Sequence, residues 1–268
     1  MRRNKALDRP VFVVGCGRSG TTILGNLLGQ HPKLAYLNEP RDIWATAPTT
    51  DIWSDAATRR NGELRLTSAD ATPETASSIT REFILATHKQ RAKRLVEKLP
   101  INSFRIDFIN AIFPDALFIH LIRNGIEVAR SIERVAPTFN WYGHNDYKWD
   151  LLGNYAGAMG LKDLTNLCGD NNFLRGLLEW RLSIDAAQTS LRILPAERQL
   201  EIRYDQLLGD PEQICSRLDN FIDLQPDRKM HTFATNNITR QTAAIDKSAI
   251  TPTMHKIAGE TLSRLGYV

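Results

Sequence analysis

A glycine-rich turn between a short apolar run and a helical pattern constrains the fold of this chain more than any other feature. Residues Val11–Val14 are apolar and mostly β-branched, which is typical of a buried strand, and the glycine-rich segment 15–20 follows directly. Apolar residues then recur at helical spacing between Ile23 and Leu28, so a helix is predicted to begin at about Gly20. A strand, a glycine turn and a helix N-terminus together direct several backbone N–H groups at one point, which the helix dipole makes attractive to an anion.

The turn departs from the common nucleoside-triphosphate loop at its lysine. That pattern ends in Gly-Lys-Ser/Thr, and its lysine reaches the β- and γ-phosphates. Here Gly15 and Gly20 keep the glycine spacing, but Thr21 stands in the lysine position and Arg18 carries the charge. The turn therefore predicts an anion site, and ordinary ATP chemistry is disfavoured. Cys16 is either a thiol of lowered pKa or an inert small filler, and the second interpretation is favoured.

Length and composition favour one soluble globular domain over 1–268. The chain has 268 residues, of which 42% are hydrophobic and 24% charged. No apolar run reaches the roughly 18 residues of a membrane-spanning helix, and the first one is too short for a signal peptide, so a cytoplasmic protein is expected. Three cysteines indicate neither a disulfide framework nor a zinc site. The net charge of +4 favours a small anionic ligand over nucleic acid.

The alternation of strand and helix patterns predicts an α/β fold, in which a central parallel sheet of the P-loop type is flanked by helices on both faces. Helices are predicted to start at the caps Asn124 and Asp210, a long amphipathic helix to cover 173–191, and a last one to cover 252–265. The predicted strands are Val11–Val14, Leu34–Leu37, Leu95–Leu99, Ala116–Ile122 and Leu200–Arg203.

Two segments interrupt this alternation. Residues 47–78 are rich in Thr, Ala and charge with little apolar periodicity, and we interpret them as an insertion over one edge of the site. Residues 137–160 have the composition of a lid or of a wall that binds an acceptor molecule, because aromatic rings stand there among Gly, Asn and Asp. The same rings could instead pack the lid itself, and Trp44 and Trp53 present the same choice.

Four short motifs occur in a fixed order along the chain. They are the loop Gly17-Arg18-Ser19-Gly20-Thr21-Thr22, the turn Asn38-Glu39-Pro40, the segment Lys98-Leu99-Pro100, and Arg123 followed by Ser131. As an ordered set they resemble the sulfotransferase superfamily that uses 3′-phosphoadenosine 5′-phosphosulfate (PAPS), especially its bacterial, tyrosylprotein-like and carbohydrate-like branches. Weaker similarity extends through 201–212 and 262–267, so the resemblance covers most of the chain. It implies transfer of a sulfonyl group from PAPS to an acceptor hydroxyl on a carbohydrate, a lipid or a small natural product, without a metal.

The resemblance also implies the donor site. Loop residues 17–22 would hold the 5′-phosphosulfate through backbone amides and the hydroxyls of the two threonines, with Arg18 facing the sulfonate. Arg123 and Ser131 would bind the 3′-phosphate, for which an arginine fork is suited. Tyr204 would lie near the adenine, or would simply pack in the core. The C-terminal Arg-Lys-Gly segment of the cytosolic branch is absent, and Arg240 or Lys247 could replace it.

Glu39 is the candidate catalytic base that the resemblance to tyrosylprotein-type enzymes implies, with Arg41 lining the acceptor site. A positioned carboxylate can take the proton of the attacking hydroxyl, although Glu39 could instead be a structural or acceptor-binding group. Lys98 would contact the bridging oxygen or the sulfonate. Other branches use a histidine after the lysine segment, where this chain has Asn102, which leaves His88 and His144 as alternatives.

The sequence also predicts contacts with an acceptor and leaves two rival functions open. Trp141, His144 and Trp149 are predicted to contact a hydroxylated acceptor, and a homodimer is compatible with the sequence. One rival is a P-loop small-molecule kinase that needs magnesium and ATP, against which the missing lysine counts. The other is a non-catalytic nucleotide-binding module, which would bind the bisphosphate product without turnover.

Overall fold

Five parallel strands form the central sheet of the computed structural model, which describes residues 7–92, 94–238 and 250–268. The strand order is β2-β3-β1-β4-β5, and every pairing is parallel. The strands are β1 (Val11–Val14), β2 (Leu34–Asn38), β3 (Arg94–Lys98), β4 (Leu117–Ile122) and β5 (Gln199–Arg203). All five strands expected from the sequence are confirmed to within one residue at each end.

Twelve α-helices surround this sheet in the described ranges. Short 3₁₀ turns join some of them, notably Pro100–Phe104 after β3. The helices are α1 (Thr21–Leu28), α2 (Arg41–Trp44), α3 (Pro73–Lys89), α4 (Ile106–Ile112), α5 (Gly125–Phe139), α6 (Tyr147–Ala158), α7 (Lys162–Cys168), α8 (Asn172–Leu191), α9 (Tyr204–Gly209), α10 (Pro211–Ile222), α11 (Arg228–Asn237) and α12 (Pro252–Arg264).

Helices cover both faces of the sheet, which explains why its strands are apolar without alternation. Phe12 and Val14 of β1 point into one core layer, and Val11 and Val13 point into the other. Trp44 is fully buried in the first layer and packs edge-on against a phenylalanine of α3. The choice left open for Trp44 is thereby resolved, because its ring belongs to the core.

The cap signals in the sequence are confirmed. The Asn124 side chain accepts a hydrogen bond from the Ile126 N–H at the start of α5. Asp210 accepts one from the Gln213 N–H at the start of α10. The long amphipathic helix is α8, and the last predicted helix is α12.

Residues 47–78, which the sequence predicts to be an insertion over one edge of the site, include buried positions. Ile52 is fully buried, and the last six residues of the segment form the first turns of α3. Arg105 of the 3₁₀–α4 junction is also fully buried and donates hydrogen bonds to the carbonyls of Thr50, Glu63 and Leu64. A buried cation that is held by loop carbonyls leaves no periodic pattern in the sequence, so only the structure reveals this anchor.

The register brings the chemically informative strand ends together. Val13 of β1 pairs with Lys98 at the end of β3, and Asn38 at the end of β2 pairs with the same lysine. The chain leaves β1 for β2 on one side and later returns to β4 on the other, so β1 lies at a topological switch point. Ligands of open α/β sheets bind at the carboxyl ends of the strands at such a point. None of the helices in the described ranges is both long and apolar enough to cross a bilayer.

Candidate active site

The glycine loop, residues 15–20, connects β1 to α1 at this switch point. It is braced by the Ser19 N–H, which donates to the Cys16 carbonyl at 3.1 Å, and by the Gly15 N–H, which donates to Ser103 Oγ at 2.9 Å. The first N–H groups of α1 have no intrahelical acceptor. The Ser19 hydroxyl is buried without a hydrogen-bond partner among the described residues. Unused donors at a helix N-terminus are what an oxyanion requires, so the loop fits a phosphate or a sulfonate.

Positive φ angles shape the glycine loop at Gly15, Arg18 and Gly20. Gly20 has φ 96°, and a Cβ there would lie 2.4 Å from the ring of Tyr204. Arg18 has φ 68°, a conformation that costs a non-glycine residue about 1 kcal/mol. Burial also raises the pKa of the Cys16 thiol well above its usual value, which favours the inert-filler interpretation of that residue.

Four predicted donor-site residues from distant parts of the chain meet beside this loop. Arg18 Nε donates to Ser131 Oγ at 3.0 Å, and the Arg123 guanidinium donates to the Arg18 carbonyl at 3.2 Å. Arg123 also donates to Glu127 at 2.8 Å and lies 4.4 Å from the centroid of the Tyr204 ring. Two guanidinium groups and a hydroxyl therefore surround one space, with an aromatic face beside them.

That space is a cavity of about 290 Å³, which we call the loop cavity. Its lining comprises the loop, the two arginines and the ends of β2 and β3: Gly17, Arg18, Gly20, Thr21, Thr22, Ile23, Glu39, Lys98, Pro100, Arg123, Ser131, Trp141 and Tyr204. Three cations face one carboxylate in this set, so the cavity is electrostatically suited to an anion.

Lys98 connects the glycine loop to the candidate base. Its ammonium group is almost fully buried at the end of β3, and it donates to Glu39 Oε1 at 2.7 Å and to Thr22 Oγ1 at 3.0 Å. Glu39 follows β2 with φ 50°, and its N–H donates to the Lys98 carbonyl at 2.7 Å. The pairing of β2 with β3 thus positions a carboxylate and an ammonium group side by side at the loop.

The electrostatic surroundings keep Glu39 ionised. Burial by itself raises the pKa of Glu39, but the hydrogen bond and charge of Lys98, together with Arg41 at 2.9 Å, lower the pKa below its usual value. The carboxylate is therefore deprotonated at neutral pH and able to accept a proton. Its basicity increases whenever Lys98 moves to another anion, because the largest stabilising partner is then lost.

A second cavity of about 310 Å³, the outer cavity, adjoins the loop cavity. The two cavities share Gly17, Arg18, Glu39, Pro100 and Trp141. Arg41 and Trp53 line its β2 side, and the centroid of the Trp53 ring lies 4.9 Å from the Arg41 guanidinium and 5.7 Å from the Arg105 guanidinium. The remaining lining comes mostly from the 3₁₀ turn after β3, the end of α5, and α8: Leu99, Ile101, Phe104, Val135, Phe139, Asn140, Lys148, Glu179 and Ser183.

The structure does not bring every expected residue to these cavities. Trp149 is buried in the lid, edge-on to Tyr142 and 4.9 Å from the Arg175 guanidinium, so its ring packs the lid and lines neither cavity. His144 is exposed and lines neither cavity, and His88 is exposed at the end of α3. Of the three acceptor contacts expected in the lid, Trp141 lines both of these cavities, and His144 and Trp149 line neither. Arg240 and Lys247 lie outside the described residues.

Sequence reasoning missed several buried charges near the site. Glu97 of β3 is fully buried and accepts hydrogen bonds from the Trp44 indole and the Asn102 amide, and burial raises the pKa of Glu97 to about 8. Lys148 and Glu179 form a buried ion pair in the wall of the outer cavity. Glu97 could have been found from the sequence, because an acidic residue is unusual inside a strand that is covered on both faces. No local pattern marks Lys148 or Glu179 as buried.

The fold and the site together define a class of protein: an α/β protein with an anion-binding loop that lacks lysine, at the end of its central strand. The family model described as "Sulfotransferase family" matches residues 10–228. The chain therefore belongs to the sulfotransferase family.

Relatives and solved structures agree with this membership. Protein-tyrosine sulfotransferase A of Caenorhabditis elegans is 25% identical over 223 residues, which cover 82% of this chain and 51% of that protein. The human protein-tyrosine sulfotransferase 1 is 28% identical over 156 residues, which cover 57% of this chain and 41% of that protein. The chain thus spans about half the length of these curated relatives. The sulfotransferase domain from the curacin biosynthetic pathway shares the fold with a TM-score of 0.56 at 17% identity, over 95% of this chain and 98% of that domain.

Proposed function

We propose that this protein is a PAPS-dependent sulfotransferase that transfers a sulfonyl group to a hydroxyl of a small acceptor molecule. The observation that carries the proposal is the sharing of Glu39, Arg18 and Trp141 by two adjoining cavities. One cavity has the donors and positive charge for an anion, and the other has an aromatic and polar lining. Glu39 faces both cavities, so an acceptor hydroxyl in the outer cavity would react beside this carboxylate.

The residues of the loop cavity fit PAPS. The glycine loop would hold the 5′-phosphosulfate through the Ser19 hydroxyl, which has no partner among the described residues, and through the first N–H groups of α1. Arg123 and Ser131 would hold the 3′-phosphate, for which a guanidinium fork and a hydroxyl are suitable donors. Tyr204 offers a ring face for the adenine beside Arg123.

The chain's own groups can move the proton and stabilise the charge that sulfonyl transfer requires. When bound, PAPS supplies the sulfonyl group: the acceptor oxygen bonds to sulfur while the bond between sulfur and the 5′-phosphate oxygen breaks. Glu39 takes the proton of the acceptor hydroxyl. Lys98 and Arg18 stabilise the negative charge that grows on the leaving phosphate oxygen. A shift of Lys98 from Glu39 towards that oxygen raises the pKa of Glu39 at the moment when a base is needed.

Two measurements test the proposal. 3′-Phosphoadenosine 5′-phosphate should raise the melting temperature more than ATP with magnesium does, because only the former matches Arg123 and Ser131. PAPS carrying radioactive sulfur should then label at least one member of a panel of phenols, sugars, hydroxylated lipids and a tyrosine-containing peptide. The peptide is included because relatives of this chain bear the name protein-tyrosine sulfotransferase.

Each negative result has its own meaning. A larger shift with magnesium and ATP would favour the kinase and refute the donor assignment. Binding of the bisphosphate without transfer to any acceptor would favour a non-catalytic module. The single domain, the homodimer and the cytoplasmic location expected from the sequence stay predictions.

A further inference from the structure

A buried ion pair in the wall of the outer cavity is not used by the proposed reaction. Lys148 Nζ lies 2.6 Å from Glu179 Oε1, and the two residues are only 6% and 4% exposed. The Trp141 indole N–H donates to the other Glu179 oxygen at 2.8 Å, and the Lys148 ammonium lies 4.7 Å from the centroid of the Trp141 ring. Both oxygens of Glu179 are therefore engaged, and the position of the ammonium group is fixed.

Hydrogen-bonding capacity remains unused beside this pair. An ammonium group has three N–H donors, and Lys148 directs a hydrogen bond to Glu179 alone among the described residues. Ser183 is one helical turn from Glu179 on the same face of α8, is 2% exposed, and has no side-chain partner in the described ranges. Lys148, Glu179 and Ser183 all line the outer cavity. Because these polar groups line the cavity, a bound molecule can accept hydrogen bonds from them.

The charges around the outer cavity select an uncharged partner for these donors. Glu179 neutralises Lys148 at 2.6 Å, and Arg41 is paired with Glu39 at 2.9 Å. Arg18, the remaining charged group of the lining, faces the loop cavity as well. A carboxylate on the acceptor would stand beside Glu179 and Glu39, whose like charges repel it. A hydroxyl or carbonyl oxygen can accept from Lys148 and Ser183 without that repulsion.

The aromatic lining of the outer cavity favours a ring-bearing molecule. Trp53, Phe104, Phe139 and Trp141 all line it. The Trp53 ring contacts the guanidinium groups of Arg41 and Arg105, and the Trp141 indole is hydrogen-bonded to Glu179, so two of these rings are preorganised. The volume of about 310 Å³ is at the lower end of the range for small-molecule sites.

We infer that Lys148 and Ser183, with Glu179 as the partner that neutralises the lysine, form a second acceptor subsite. This subsite binds an uncharged oxygen of a ring-bearing acceptor, distinct from the hydroxyl that reacts. The acceptor is then an uncharged ring compound with at least two oxygens. The inference rests on the proposed function for the reaction, but the binding preference can be measured without turnover.

Three small probes differ only at the position that the subsite reads. Resorcinol, phenol and 3-hydroxybenzoate would each be titrated by ligand-observed NMR into protein saturated with 3′-phosphoadenosine 5′-phosphate. We expect resorcinol to bind at least about threefold more tightly than phenol, because it supplies the second oxygen, and 3-hydroxybenzoate to bind most weakly. Equal affinities, a preference for the benzoate, or no binding of any probe to the saturated protein would overturn the subsite.

Variants connect the preference to the named residues. Ser183→Ala and the double variant Lys148→Met/Glu179→Gln should abolish the preference for resorcinol over phenol, while Ser216→Ala, on the exposed side of α10, should keep it. The double variant leaves no unpaired buried charge, and the amide oxygen that it introduces on α8 can still accept from the Trp141 indole, so folding is preserved. Retention of the preference in both variants would refute the assignment. Failure of the bisphosphate itself to bind would instead refute the proposed function, and the two failures are therefore distinguishable.

Discussion

Replacement of Arg123 with alanine tests the assignment of the 3′-phosphate site most directly. Arg123 donates a hydrogen bond to the Arg18 carbonyl, and the Arg18 side chain donates one to Ser131. Once its contact with Glu127 rearranges, the Arg123 guanidinium can donate two hydrogen bonds to an anion. A hydrogen bond to a charged group contributes about 1.5–3 kcal/mol, so loss of the fork should cost about 3 kcal/mol. That free energy corresponds to a dissociation constant about 150-fold higher. Glu127 would also lose its partner and add repulsion.

The cost to folding should be small by comparison. The pair of Arg123 with Glu127 is partly exposed, with side chains 22% and 19% accessible, so solvent screens it and it contributes about 0.5 kcal/mol. The stacking on Tyr204 adds about 0.5–1 kcal/mol. A total of about 1 kcal/mol shifts the melting temperature of a chain of this size by only about 2–4 °C. The variant is therefore expected to fold and to lose affinity.

Calorimetry with two ligands separates the roles that Arg123 could play. Affinity for 3′-phosphoadenosine 5′-phosphate should fall towards that for adenosine 5′-phosphate, which lacks the 3′-phosphate, and affinity for the latter should change little. Arg130→Ala, an exposed neighbour on α5, is the matched control and should bind both ligands normally. An equal loss for both ligands would show that Arg123 acts by holding the glycine loop through the Arg18 carbonyl. A loss of less than about threefold would refute the reasoning.

Three further outcomes are expected. Glu39→Gln should lower kcat by about 10²–10⁴-fold and leave the affinity for the bisphosphate unchanged. The exposed variant Glu133→Gln is the matched control, and near-normal turnover of Glu39→Gln would assign the base to another residue. Burial lowers the pKa of His120 from 6.5 to about 4, so the unfolded chain takes up the proton first and the free energy of unfolding falls by about 3 kcal/mol as pH drops through that window. Urea titrations should show His120→Leu lacking this component, and an unchanged pH profile would contradict it. Gly20→Ala should weaken bisphosphate binding and destabilise the fold by about 1–3 kcal/mol, because Gly20 has φ 96° and a Cβ there would lie 2.4 Å from the Tyr204 ring. Gly209→Ala is the control, since a Cβ there meets open space and should change neither property.

Much of the fold could be predicted from the sequence because a strand that is buried on both faces is apolar at nearly every position. The four residues of β1 are apolar throughout, and helices cover both sides of that strand. Asn124 and Asp210 cap the helices that their side chains predicted. These signals are local, since each depends only on neighbours within a turn or a strand.

The lid shows where such local signals stop. Trp141 and Trp149 lie eight residues apart in the same aromatic segment, yet one lines both cavities and the other is enclosed between Tyr142 and Arg175. Which ring faces a cavity depends on how α6 and its preceding turn pack against α8. Composition alone could not distinguish them.

The sequence by itself determined the strands, the caps and an anion loop without lysine, because each is specified by residues adjacent in the chain. The tertiary structure alone decided the partners. Glu39 meets Lys98 because β2 pairs with β3, and Lys148 meets Glu179 because the lid lies on α8. Sequence patterns assign charged residues to the surface, and only the packing of distant segments can compensate a buried charge. The chemistry of the site depends on these paired charges, so the tertiary structure, and not the local sequence, determines it.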